Sequence, residues 1–89
     1  MKLQDIVIIR LRMARRELHL SQVQASTRVG LSQTAWANYE TGARGVSLAM
    51  LDRISRAFGK PVEYFLTLDY EERQQAAPPK AKSRRQAKR

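Results

Sequence analysis

Residues 20–42, LSQVQASTRVGLSQTAWANYETG, constrain the fold of this chain more than any other segment. They predict two short helices joined by a tight turn at Gly30, because glycine tolerates the positive φ of such a turn. The small side chain of Ser26 lets the two helices approach closely. Trp36 and Tyr39 are apolar at helical spacing, so they would anchor the second helix on a core and leave its other face free.

Apolar periodicity predicts a first helix that begins near residues 3–5 and ends near residue 18. One stripe, at helical spacings of three and four, is formed by Leu3, Val7, Leu11, Ala14 and Leu18. A second stripe beside it, Ile6, Ile9 and Met13, is either wider core or an interface.

Capping residues mark the remaining helices. Ser21, Ser32 and Ser47 are good N-caps, and Gly30 and Gly59 are typical of helix ends. The predicted helices span residues 22–29, 33–41, 48–58 and 61–66, and Asp69 with Glu72 resembles a capping box for a sixth turn. The chain is therefore predicted to be all-α, a compact bundle of about five short helices with no strand.

The charge is distributed unevenly. Of the net charge of +9, residues 1–72 carry ten Lys and Arg against eight Asp and Glu, whereas residues 73–89 carry seven basic residues and no acid. We expect a folded domain over residues 1–70 and a basic tail over residues 71–89, disordered from about residue 76. The tail is either an arm that binds nucleic acid or a solubilising end.

Several classes of function are disfavoured by composition. The chain has no cysteine and a single histidine, His19, so we expect no disulfide, metal, cofactor or catalytic triad, and no enzymatic activity. The apolar run at residues 6–9 is too short to span a bilayer, so we expect a cytoplasmic protein without a membrane partner.

The order of these motifs resembles the Cro/lambda-repressor-type helix-turn-helix family, also called the XRE family, over about residues 6–66. The residues that carry the resemblance are Leu20-Ser21-Gln22, Gly30-Leu31-Ser32, Tyr39-Glu40-Thr41-Gly42, Ser47-Leu48, Leu51, Ile54 and Gly59. The resemblance implies a lambda-repressor-like fold that binds double-stranded DNA.

The resemblance also implies which residues contact DNA. Base contacts fall on one face of the third helix, at Ser32, Gln33, Thr34, Ala37 and Asn38. Among these, the amides of Gln33 and Asn38 can bond adenine N7 and N6 together. Phosphate contacts fall at Gln22, Arg15, Arg44 and Ser47.

Two of the residues matched to phosphate contacts also have structural interpretations. Gln22 matches a position that braces the third helix as well as bonding a phosphate. Arg15 and Glu40 match a family pair that joins the first helix to the end of the third. That pair is either a surface ion pair or a partly buried pair that orients the third helix.

The chain departs from the family pattern at a few positions. Trp36 replaces the usual Ile or Val and Ala25 the usual Leu, which we interpret as one volume-compensated change across the helix pair. Val46 stands where proline is common, which would leave the loop less stiff, and His19 stands where glycine is frequent. We expect His19 to be an exposed loop residue.

The favoured function is a sequence-specific transcriptional regulator, most simply a repressor that acts as a homodimer on a near-palindromic site. The dimer would use Leu66, Leu68 and Tyr70, or else the Ile6–Ile9–Met13 stripe. The alternative is an antitoxin or adaptor that binds a protein partner. RNA binding is disfavoured because the third helix exposes no stacking aromatic side chain.

Overall fold

Six α-helices and no strand make up residues 1–75, which are the residues that this computed structural model describes. The helices are α1 (Leu3–Glu17), α2 (Gln22–Val29), α3 (Gln33–Thr41), α4 (Leu48–Phe58), α5 (Val62–Leu66) and α6 (Tyr70–Gln75). The all-α prediction is confirmed. The predictions for the tail from about residue 76 onward, including its basic residues, lie outside the described residues.

Local capping chemistry sets the helix starts, as the sequence indicates. The hydroxyls of Ser21, Ser32 and Ser47 each accept a hydrogen bond from a backbone N–H in the first turn of α2, α3 and α4. At α6, Asp69 and Glu72 exchange backbone-to-side-chain hydrogen bonds of 2.9 and 2.8 Å, which is the expected capping box.

The core lies where α1 packs on α3 and α5 and where α2 packs on α3 and α4. Trp36 is fully buried at its centre, with its ring 5.6 Å from that of Phe58. Ala25 is also fully buried in the same cluster, so a small residue on α2 accompanies the large one on α3. The prediction that Trp36 belongs to the core is confirmed.

Leu3, of the predicted stripe on the first helix, and Leu48, one of the residues that carry the family resemblance, do not enter the core. Leu3 is 56% exposed and Leu48 is 82% exposed. Each lies at the first position of its helix, beyond the end of the core. Ile8 and Val46 are buried at this end of the molecule instead.

The residues expected to form a dimer interface are mostly covered within one chain. Leu68 is 4% exposed, Ile6 is buried and Leu66 is half-buried, whereas Tyr70 is 75% exposed, so the dimer interface stays a prediction. The segment after α5 returns to α1 and covers part of this surface. Arg10 holds it there through two hydrogen bonds to Glu72, of 2.9 and 3.0 Å, and one of 2.8 Å to the Thr67 carbonyl oxygen.

Candidate nucleic-acid interface

Helix α3 has one face in the core and one face in solvent. Trp36, Tyr39 and Glu40 are buried. The residues with predicted base contacts lie on the other side, where Ser32, Gln33 and Thr34 are exposed and Ala37 and Asn38 are half-buried. The helix therefore presents amide, hydroxyl and methyl groups to solvent, while its opposite face is packed in the core.

The carboxylate of Glu40 is the centre of the network that fixes α3. It accepts hydrogen bonds from Arg15 Nε at 2.5 Å, Arg15 Nη2 at 3.3 Å, Gln22 Nε2 at 3.0 Å and Trp36 Nε1 at 2.5 Å. These donors come from α1, α2 and α3, so a single buried side chain ties three helices together. The pair of Arg15 and Glu40 is thus largely buried, as one of the two sequence interpretations proposed.

Electrostatics keeps Glu40 ionised in this environment. Burial by itself would raise the pKa of the carboxyl group, because it disfavours the charged form. The hydrogen bonds from Arg15, Gln22 and Trp36, together with the charge of Arg15, outweigh burial and lower the pKa of Glu40. The network is therefore complete at neutral pH.

These contacts define what Arg15 and Gln22 do inside the fold. Beyond its bonds to Glu40, Arg15 donates from Nη1 to the carbonyl oxygen of Leu20 at 3.0 Å. All three nitrogens of its guanidinium group thus already have acceptors. Gln22 braces α3 through Glu40, as the resemblance implied.

Arg12 is a third brace that the sequence reasoning missed. Its Nη2 donates at 2.5 Å to the backbone carbonyl oxygen of Glu40, near the end of α3, where carbonyl groups lack partners within the helix. The available signal was its position three residues before Arg15, which places both side chains on one face of α1.

The turn between α2 and α3 is held from α4 by Arg53, also missed. Arg53 donates from Nε to the carbonyl oxygen of Val29 at 2.8 Å and from Nη2 to that of Gly30 at 3.2 Å. Gly30 has φ of +84°, and a Cβ atom there would lie 2.6 Å from Arg53 Nη2. Glycine suits this turn because of its backbone angle, whereas a Cβ atom would only displace the end of the Arg53 side chain.

The loop after α3 carries the other predicted phosphate-contact residues. Arg44 is exposed, and its backbone N–H donates to the carbonyl oxygen of Asn38 at 3.1 Å. Ser47 is the N-cap of α4, where backbone N–H groups without partners in the helix can receive an anion. The side chain of Gln4 contacts the same loop at Val46.

His19 is exposed in the connection between α1 and α2, as expected, and has φ of +56°. The backbone there forms the same pair of turn hydrogen bonds that follows α2. His19 and Leu20 donate to the carbonyl oxygens of Arg16 and Arg15, just as Gly30 and Leu31 donate to those of Thr27 and Ser26. A left-handed backbone explains why glycine suits this position.

Comparison with known proteins gives one match, to a protein-family model. A family model described as helix-turn-helix matches residues 11–65, which include α2, α3, Arg15, Arg44 and Arg53 but not Gln4. No curated protein and no solved structure gives a significant match. Within residues 1–75, each helix is too short or too polar to cross a membrane.

Proposed function

The chain belongs to the XRE-type helix-turn-helix family of DNA-binding proteins, and from this premise we propose that it is a sequence-specific transcriptional regulator that reads the major groove with α3. The proposal rests on the difference between the two faces of α3. Its buried face is fixed by Glu40 and Trp36, while Gln33 and Asn38 lie on the side that faces solvent. A helix held in this way can enter a groove without rearrangement.

Base recognition rests on the two amides. Each can donate to adenine N7 and accept from the adenine N6 amino group, the bidentate pattern that distinguishes adenine from the other bases. Thr34 can bond a base edge or contact a thymine methyl group, and Ala37 can contact a methyl group. Ser32, whose hydroxyl already accepts from the Ala35 N–H, can donate its proton to a base.

Phosphate contacts on either side of α3 would set its register. Gln22 lies at the start of α2, and Arg44 and Ser47 lie in the loop and cap before α4. Such contacts position the protein without carrying sequence information. Three of the five N–H groups of Arg15 are already bonded to Glu40 and Leu20, so we propose that it acts mainly through Glu40.

We further propose a homodimer and repression. Two copies would place their α3 helices in successive major grooves about 34 Å apart, which requires a site with two-fold symmetry. Occupancy of such a site near a promoter excludes polymerase, so repression is the simplest result. A protein-binding antitoxin or adaptor of the same fold remains the competing function.

Selection of binding sites from a random duplex pool by the full chain tests this proposal. We expect enrichment of one motif with two related half-sites about 10 bp apart. A wide spread of recovered sequences, bound no better than a scrambled duplex, would overturn sequence-specific regulation. Stable co-purification of one protein with the chain, combined with such non-specific DNA binding, would favour the adaptor function.

A further inference from the structure

The side chain of Gln4, in the first turn of α1, is joined to a loop 42 residues away. Gln4 Nε2 donates to the carbonyl oxygen of Val46 at 3.2 Å, and the Val46 N–H donates to Gln4 Oε1 at 3.2 Å. The amide thus satisfies both backbone groups of one residue. A proline at position 46 could not form this pair, because it has no N–H.

This contact fixes one end of the loop that carries Arg44. The other end is fixed at α3, where the Arg44 N–H donates to the Asn38 carbonyl oxygen. Between these two anchors, residues 43–45 are exposed, whereas Val46 is buried. Gly45 is also close to Gln4, since a Cβ atom added there would be 3.8 Å from the side-chain amide.

We infer that Gln4 is a positioning residue of the DNA-binding surface, which acts by holding the backbone of the 43–47 loop so that Arg44 faces a phosphate. The inference rests on the proposed function and deepens it. Gln4 itself needs no contact with DNA. Its effect on binding should pass through Arg44, although its hydrogen bonds are to Val46.

A double-substitution cycle tests the inference. The variants are Gln4→Met, which keeps the side-chain length and removes both hydrogen bonds, Arg44→Ala, and the two combined. Gln74→Met, at an exposed position of α6, is the matched control for the loss of an amide. Affinity for a duplex recovered by site selection, and for its scrambled form, is measured by fluorescence anisotropy at several salt concentrations below the thermal midpoint of every variant.

We expect Gln4→Met to weaken binding ~10-fold on both duplexes, the order expected for loss of one hydrogen bond to a charged group. In the Arg44→Ala background the same substitution should change affinity less than twofold, and Gln74→Met should have no effect. If Gln4→Met does not fold, Gln4→Asn, whose amide is too short to reach Val46, replaces it in the cycle.

Two results would overturn the inference alone. One is wild-type DNA affinity in the Gln4 variant. The other is an equal loss of affinity in the wild-type and Arg44→Ala backgrounds, which would indicate a role in general stability. Failure of the unsubstituted chain to bind any duplex would overturn the proposed function, and this inference with it. The two failures are therefore distinguishable.

Discussion

The indole N–H of Trp36 donates to the carboxylate of Glu40 at 2.5 Å, one turn later in the same helix. The pair couples the packing of the largest core side chain to the polar network that fixes α3. Because Arg15 and Gln22 bond the same carboxylate, the orientation of α3 depends on a charge as well as on apolar packing.

Glu40→Gln should lower the free energy of unfolding at pH 7 by ~2–3 kcal/mol, because it leaves the largely buried Arg15 without its counter-charge. The pKa of Glu40 is lowered in the folded protein, so its stabilising effect is present above the ordinary glutamate value of ~4.3 and is lost as the pH falls through the folded value. Urea unfolding between pH 7 and 3 should therefore show a steeper fall of the free energy of unfolding with decreasing pH in wild type than in the variant.

Glu63→Gln, at an exposed position, is the control for Glu40→Gln. Parallel pH curves for wild type and Glu40→Gln would contradict this prediction.

Trp36→Ala should destabilise the domain by ~3–5 kcal/mol through loss of packing and a residual cavity. Trp36→Phe should cost less, because it keeps an aromatic ring beside Phe58. Trp36 is the single tryptophan of the chain, so its emission reports directly on the core. It should be blue-shifted in the native protein and move to longer wavelength on unfolding, and red-shifted native emission would count against the packing described.

His19→Gly should stabilise the domain by ~1 kcal/mol, since glycine adopts a φ of +56° without the strain imposed by a Cβ atom. His19→Ala keeps that atom and should give no comparable gain. Thermal unfolding of the two variants and wild type provides the comparison. Equal midpoints for the glycine and alanine variants would show that the backbone at His19 is not strained.

The sequence was informative wherever structure is decided locally. Serine caps, glycine ends and apolar spacing predicted the bounds of α2 and α3, and the Asp69–Glu72 box predicted the start of α6. Interactions between distant segments have no local sequence pattern, so the bonds of Gln4 to Val46 and of Arg53 to Gly30 were missed. Periodicity also overextended the first stripe to Leu3, because it marks a helix face without showing where the core ends.

The basic residues near the C-terminus should strengthen DNA binding without changing base preference. Residues 80–89 contain six Lys and Arg and no acid. Their deletion should weaken binding to specific and scrambled duplexes by similar factors. It should also make the slope of log K against log salt shallower by ~0.9 for each phosphate that these residues neutralise. A full-length variant with these six residues changed to Gln separates charge from length. An unchanged salt slope would indicate a solubilising end, and unchanged DNA affinity with loss of a bound protein would indicate an adaptor.

The proposed reading of bases by the outward face of α3 can be tested by the specificity ratios of two single variants. Gln33→Ala and Asn38→Ala should each weaken binding to the selected duplex by ~1–3 kcal/mol while leaving affinity for a scrambled duplex and thermal stability nearly unchanged. Selection repeated with each variant should relax base preference at one position of each half-site. Wild-type specificity ratios in both folded variants would show that α3 does not read the DNA sequence.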